Sequence, residues 1–172
     1  DLLSASAHKI RGPKGIGILY MRRGVELKPI ITGGDQQRGL RGGTENVPAI
    51  AGFGKAVEIM RDVDKLKMRK LRDYFMQALE KIGGEINGSK EKRILDNISV
   101  SFDGADAEML VIALSQKGIM CSTRSACLNR QKRENRILGA IGLSGSEMKG
   151  TLRFSITEEV SEKDIRKVVN EL

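Results

Sequence analysis

Lys9 directly follows His8, the only histidine in the chain, in the run SASAHK. A lysine there is either a solvated surface cation or, if partly buried, an amine of depressed pKa that attacks carbonyls. Ser4, Ser6 and His8 would supply short hydrogen-bonding groups beside it. The two cysteines, Cys121 and Cys127, bracket CSTRSAC. Cys121 ends an apolar stretch and suits a buried structural thiol. Cys127 follows Ser122, Thr123, Arg124 and Ser125, and a nearby cation and a following helix N-terminus would both favour its thiolate. Arg153 alternates with Leu152 and Phe154 in LRFSI. If those two face a core, Arg153 shares the opposite face with Ser155, as a surface cation or as a bidentate fork for a carboxylate.

Other motifs carry less chemistry. GPKGIG (12–17) lacks the GxxxxGK[ST] order of a Walker A loop, and a strand follows it where that motif needs a helix. It is not GxGxxG either, so it reads as a glycine-rich turn. The cysteines lack CxxC spacing and accompanying histidines, which argues against zinc and any other metal centre.

The elements that must position these residues follow from periodicity. Residues 15–22 (GIGILYMR) read as a strand, and ITGGDQQRGLRGGTEN as an irregular loop with five glycines. Thr44 or Asn46 can cap the next helix, with Pro48 tolerated in its first turn. Apolar residues at helical spacing from Val47 to Ile82 predict one long helix, or two, ending at Gly83-Gly84. Beyond lie a half-buried strand over 97–103, a helix over 107–117, a short strand near Ile119 and a helix over 130–141. A strand around Leu152–Ile156 and a last helix capped by Ser161 complete the pattern. The order β-α-β-α-β-α predicts an α/β unit from about Glu85 to Leu172.

A length of 172 residues suits one domain or one and a half, with 40% apolar and 30% charged residues. The opening DLLSAS does not read as a signal peptide, and its abrupt apolar start is expected of a chain cut from a longer one. No apolar run approaches the roughly 18 residues that span a bilayer. The net charge of +8 is spread along the whole chain, with two tyrosines, four phenylalanines and no tryptophan. Few stacking platforms accompany the charge, which argues against nucleic acid. Two cysteines fit a reducing, cytoplasmic setting with at least one free thiol.

Four segments, in order, resemble the cysteine desulfurases of the NifS/IscS type, members of the class V aminotransferase family. DLLSASAHKIRGPKGIGILYMRR resembles the segment around the Schiff-base lysine, and RGLRGGTEN the R-G-x-R-x-G-T loop. SACLN resembles the end of the loop with the sulfur-accepting cysteine, and LRFSI the carboxylate-binding strand. The resemblance implies the α/β, fold-type-I architecture of pyridoxal 5'-phosphate enzymes. Residues 1–82 would be the end of the large cofactor domain with its long connecting helix, and 83–172 the small C-terminal domain.

The resemblance also implies roles. Lys9 would bind the cofactor covalently, Ser6 and His8 would hold its phosphate, and Thr44 would reach the phosphate site of the neighbouring subunit in a homodimer. Arg153 would take the carboxylate of L-cysteine and Cys127 would be the nucleophile. The products would be L-alanine and a persulfide, passed to a sulfur-acceptor protein for iron–sulfur cluster or tRNA-thiolation pathways. The family's S-S-G-S-A-C is S-T-R-S-A-C here, with Arg124 in place of glycine. The family's N-terminal half, with its ring-stacking histidine and pyridine-facing aspartate, has no counterpart in this sequence, so the chain alone is expected to be inactive. A selenocysteine lyase or related enzyme on the same scaffold is the nearest alternative, and a basic nucleic-acid-binding module is the alternative of another class.

Overall fold

The computed structural model describes residues 1–123 and 136–172. Strands β1 (Leu2–Ser6) and β2 (Gly17–Met21) pair antiparallel, from Leu2↔Met21 to Ser6↔Gly17. A single 3-10 turn at Ala7–Ile10 leaves β1, and Arg11 adopts a left-handed conformation as the turn closes. β1 was not foreseen, because LLSAS is too short to show a period of its own.

The expected helical stretch is two helices, α1 (Val47–Arg61) and α2 (Lys65–Lys81). Asn46 caps α1 by accepting from the Ala49 amide at 3.2 Å, and Pro48 sits in the first turn. Asp64 caps α2 by accepting from the amides of Leu66 and Lys67. A carboxylate cap there satisfies amides that would otherwise belong to a continuous helix, so α2 starts afresh.

The chain divides into two compact units, Asp1–Val63 and Asp64–Leu172. In the first, α1 packs on the 3-10 turn and buries Ala49, Phe53 and Ala56. In the second, β3 (Gly84–Ile86), β4 (Asn97–Phe102) and β5 (Thr151–Ser155) form an antiparallel sheet in the order β3-β4-β5. The helix α2 packs on β3, β4 and the last helix, α6 (Glu162–Glu171). It therefore groups with the second unit, although the sequence reading assigned it to the first segment, 1–82.

The apolar face of α2 repeats Met68, Leu71, Phe75, Met76 and Leu79 at helical spacing, and all are buried. Phe75 meets Phe154 of β5 with ring centroids 5.1 Å apart. Ile98, Val100 and Leu152 are fully buried, and each contributes about 1.5–3 kcal/mol by leaving water. Between β4 and β5 lie α3 (Ala107–Gln116), α4 (Arg136–Ala140) and α5 (Gly145–Lys149), so the observed order differs from a simple β-α alternation. No strand forms at Ile119; nearby, Ser122 instead makes an isolated bridge to Arg153. Of the helix expected over 130–141, residues 136–140 are helical, and residues 130–135 lie outside the described residues. Ser161 caps α6 with Asp164 in a reciprocal capping box, as the sequence predicts.

Candidate active site

The turn that carries Lys9 is anchored from below. Ala7 is fully buried, its amide donates to the Ile16 carbonyl at 3.1 Å, and its carbonyl accepts from the Gly12 amide at 2.9 Å. A Cβ on Gly12 would lie 2.9 Å from that of Ala7 and 3.2 Å from that of Ala56. A Cβ on Gly52 would lie 2.6 Å from Pro13 Cγ. The glycines of this region therefore let α1 close on the turn. With Ala7 held inside, Ser6, His8 and Lys9 stay exposed. Their hydroxyl, imidazole and amine have no bonded partner among the described residues, and Ser6 does not use its side chain as a cap. An unengaged amine next to a hydroxyl and an imidazole is a donor set that fits an aldehyde and a phosphate.

Thr44 belongs to the same unit, at the end of a tightly folded loop. Gln37 and Arg38 both adopt left-handed conformations, with φ of 52° and 60°. The Gln36 side chain accepts from the Gly43 amide, and the Gln37 side chain donates to Glu45. Gly42 donates to the Ile31 carbonyl at 3.0 Å. Thr44 is exposed between these fastened residues and Asn46.

Arg153 lies in the second unit. In the sheet register it stands opposite Ser99, while its neighbours Leu152 and Phe154 are buried. Its side chain therefore belongs to the polar face, as the alternation in LRFSI predicts. On the other edge of β5 its amide donates to the Ser122 carbonyl and its carbonyl accepts from the Ser122 amide, at 2.6 and 3.1 Å. Arg153 is half-buried, and its guanidinium has no partner among the described residues.

The polar face beneath Arg153 is fastened by a chain of bonds. The Asn87 amide donates to Ser99 Oγ at 3.1 Å and to Ser101 Oγ at 2.9 Å. Ser101 and Thr151 hydroxyls are 2.8 Å apart, and Thr151 donates onward to the Glu147 carbonyl at 2.7 Å. The Ser101 hydroxyl also donates to Asn87 Oδ1 at 3.1 Å. All three β strands are thus tied in register by satisfied buried groups. Above this face, a hollow of about 290 Å³ is lined by Arg153, Arg93, Asn87 and Ser99 and walled by Ile137 and Ile141.

Sequence reasoning missed Arg93, Asn87 and Ser99. The alternation ISVSF held the signal for Ser99 and Ser101, as polar residues opposite Ile98 and Val100. Arg72 held another, as a charge in the apolar stripe of α2. It is buried, paired with Asp73 Oδ1 at 2.7 Å, and donates to the carbonyls of Arg93 and Ile94. It thereby ties down the loop that carries Arg93.

Cys121 is half-buried, and burial raises its thiol pKa, so its thiolate is scarce at neutral pH. Cys127 and Arg124 lie outside the described residues. Among the described residues no group of three or more His, Cys, Asp or Glu side chains could hold a metal ion. No described helix is long and apolar enough to cross a membrane.

Residues 1–168 match the family described as Aminotransferase class-V. The chain belongs to that family. Enzymes of this family depend in general on pyridoxal phosphate. The chain is 40% identical to cysteine desulfurase IscS 1 of Archaeoglobus fulgidus over all of its own length and 46% of that protein. It is 39% identical to the cysteine desulfurase IscS of Methanosarcina thermophila over 98% of its own length and 43% of that protein. The chain thus spans about half the length of the curated relatives it matches. A solved NifS-like protein superposes over 99% of the chain and 45% of its own, with 36% identity and a TM-score of 0.86. A NifS-like protein from Rickettsia africae does so at 27% identity with a TM-score of 0.85. The two α/β units therefore have the fold of this class-V, fold-type-I group.

Proposed function

We propose that the chain is the C-terminal portion of a cysteine desulfurase that converts L-cysteine to L-alanine and transfers the sulfur to Cys127. The half-buried guanidinium of Arg153, which has no partner among the described residues, carries this reading. Its backbone is bonded on both sides to Ser122, five residues before Cys127, so one strand presents a carboxylate fork beside the segment that leads to the acceptor thiol. The cysteine desulfurases among its relatives support the same activity. The first unit is read as the end of the large cofactor domain and the second as the small domain.

In this reading Lys9, Ser6, His8 and, from a second copy, Thr44 hold pyridoxal phosphate. When bound, that cofactor supplies an electron-withdrawing ring next to the substrate Cα. Arg153 grips the α-carboxylate bidentately and sets which way the amino acid lies. The Lys9 amine moves the Cα proton. Cys127 thiolate attacks the substrate sulfur: an S–S bond forms, the Cβ–S bond breaks, and its electron pair is protonated on carbon. Cysteine plus a thiol becomes alanine plus a persulfide, with no outside oxidant. The partners are L-cysteine, a second copy of the chain and a sulfur-acceptor protein of iron–sulfur or tRNA-thiolation chemistry, all in the cytoplasm.

The test is the full-length protein that carries this sequence, with Cys127→Ser and alanine formation as the readout. A loss of cysteine turnover is expected of a desulfurase, whereas a lyase acting on selenocysteine would retain much of its rate. Undiminished alanine formation from cysteine would overturn the role of Cys127. The 172-residue chain supplied with cofactor and cysteine should release no alanine; turnover at the rate of the full-length protein would show that it is not an incomplete site.

A further inference from the structure

We propose that Ser99 is a second substrate-binding residue of the hollow, whose hydroxyl donates to the same α-carboxylate that Arg153 holds. This rests on the reading of Arg153 as the fork for the single carboxylate of L-cysteine, and it adds a residue to that grip.

The hydrogen bonds of the polar face carry the proposal. Ser99 stands opposite Arg153 in the β4–β5 register, so both side chains rise from one face of the sheet, and both line the hollow. A hydroxyl has one proton to give and two lone pairs to fill. Ser99 Oγ accepts from Asn87 Nδ2 at 3.1 Å, and its own proton has no acceptor among the described residues. Arg153 cannot take that proton, because a guanidinium only donates. Asn87 turns its Nδ2 toward Ser99 and its Oδ1 toward the Ser101 hydroxyl. Among the described residues no aspartate or glutamate lines the hollow, so no carboxylate there claims the proton either.

A bound carboxylate has the complementary need. Its oxygens offer about four lone-pair sites, and a bidentate arginine fills two of them. Leaving the others empty is costly beside the apolar wall of Ile137 and Ile141. The hollow of about 290 Å³ admits a small molecule only, so an anion drawn in by Arg153 comes within reach of its cross-strand neighbour. The serine is also aimed. Asn87 Nδ2 donates to Ser101 Oγ at 2.9 Å as well as to Ser99, and the Asn87 backbone amide donates to the Ser99 carbonyl at 2.9 Å. Arg93 in turn donates to the Asn87 carbonyl. With its acceptor side fastened to Asn87, the Ser99 hydroxyl has the open hollow for its proton, and a donor already held in place loses little entropy on binding.

The test uses the full-length protein that carries this sequence. KM and kcat are measured for L-cysteine, and calorimetry gives the dissociation constant of propionate, an acid of the same carbon skeleton without thiol or amine. Ser99→Ala removes one hydrogen bond to a charged group and should raise both KM and the propionate constant about tenfold. It should leave kcat unchanged, because the carboxylate is gripped alike before and during the reaction. Ser99→Thr and Ser99→Val share one shape and differ in the hydroxyl. Ser99→Thr should stay close to the unsubstituted protein, and Ser99→Val should behave as Ser99→Ala. Unchanged KM and propionate affinity in Ser99→Ala, a fall in kcat alone, equal behaviour of Ser99→Thr and Ser99→Val, or no propionate binding by the unsubstituted protein would overturn the proposal. If Ser99→Ala fails to fold, the other two variants decide. Propionate affinity that depends on Ser99 and Arg153 in a protein that leaves L-cysteine untouched would strike at the desulfurase reading and keep this inference. Cysteine turnover with KM raised in Arg153→Gln and not in Ser99→Ala would overturn this inference alone.

Discussion

The ribbon of the first unit is built from more apolar strands than the sheet of the second, yet it is the ribbon that stays exposed. Ile98, Val100 and Leu152 are 0% exposed, whereas Leu3, Leu19 and Tyr20 are 58%, 56% and 57% exposed. The difference lies in what covers each. In the second unit α2 packs on β3, β4 and α6 and seals one face of three strands. In the first unit α1 packs on the 3-10 turn. The ribbon is hydrogen-bonded in register, but two strands without a covered face have little stability of their own. An apolar strand thus contributes according to its cover, and the two proposed anchors inherit this contrast. Arg153 stands on a sheet with a sealed back. Lys9 stands on a turn held by the close fit of Ala7, Gly12 and Ala56.

The sharpest way to break this comparison is to truncate one leucine on each side. Leu152→Ala removes a fully buried side chain and should cost about 2–5 kcal/mol in urea unfolding of the second unit. Leu19→Ala, at an exposed position, should cost well under 1 kcal/mol. Equal losses would mean that the ribbon is buried in solution and that the contrast is wrong.

A smaller effect probes the first unit alone. Gly12→Ala forces a methyl to within 2.9 Å of Ala7 Cβ and 3.0 Å of its carbonyl oxygen. Overpacking of this kind costs about 1–3 kcal/mol, and it should loosen the Ala7 amide in hydrogen exchange before the rest of the unit. Gly54→Ala is the control, because a methyl there meets nothing within 4 Å on a helix. It should stabilise by about 0.5–1 kcal/mol. A neutral Gly12→Ala would show that α1 does not clamp the turn.

These contrasts also explain how much was legible in the sequence. Helices were readable where one stripe met one core, as in α2, and caps were readable at Ser161 and, as one of two candidates with Thr44, at Asn46, because their chemistry is local. The face of Arg153 followed from its alternation with Leu152 and Phe154. Whether α1 and α2 were one helix or two stayed open, because the apolar spacing runs through Asp62–Asp64 and only the Asp64 cap interrupts it. The glycines of GPKGIG gave no sign that Gly12 serves contact with α1, since Ala56 lies 44 residues away in the chain. Arg93 was invisible for the same reason. Its setting comes from Met76, Asn87 and the Arg72 clamp, which only the folded loop brings together.

The gentlest test of the comparison is acid. Asp106, Glu147 and Asp164 in the second unit all have pKa values lowered by the amides or hydroxyls that their carboxylates accept from. For Asp106 the leading cause is the Met109 amide; for Glu147 it is the Ser144 side chain, and for Asp164 the Ser161 side chain. A lowered folded pKa means that the unfolded chain binds the proton more readily. The stabilisation is therefore complete above the unfolded carboxyl pKa of about 4 and is lost as pH falls through the lower folded values. The cap of α1 is Asn46, an amide that does not titrate. As the pH drops below about 4, protection factors in the first turns of α3, α5 and α6 should fall while that of the Ala49 amide, bonded to Asn46, stays level. The effect should be modest, because all three carboxyls lie at the surface, where their bonds compete with water. A parallel loss at Ala49 would show that acid acts through the whole chain and not through these three caps.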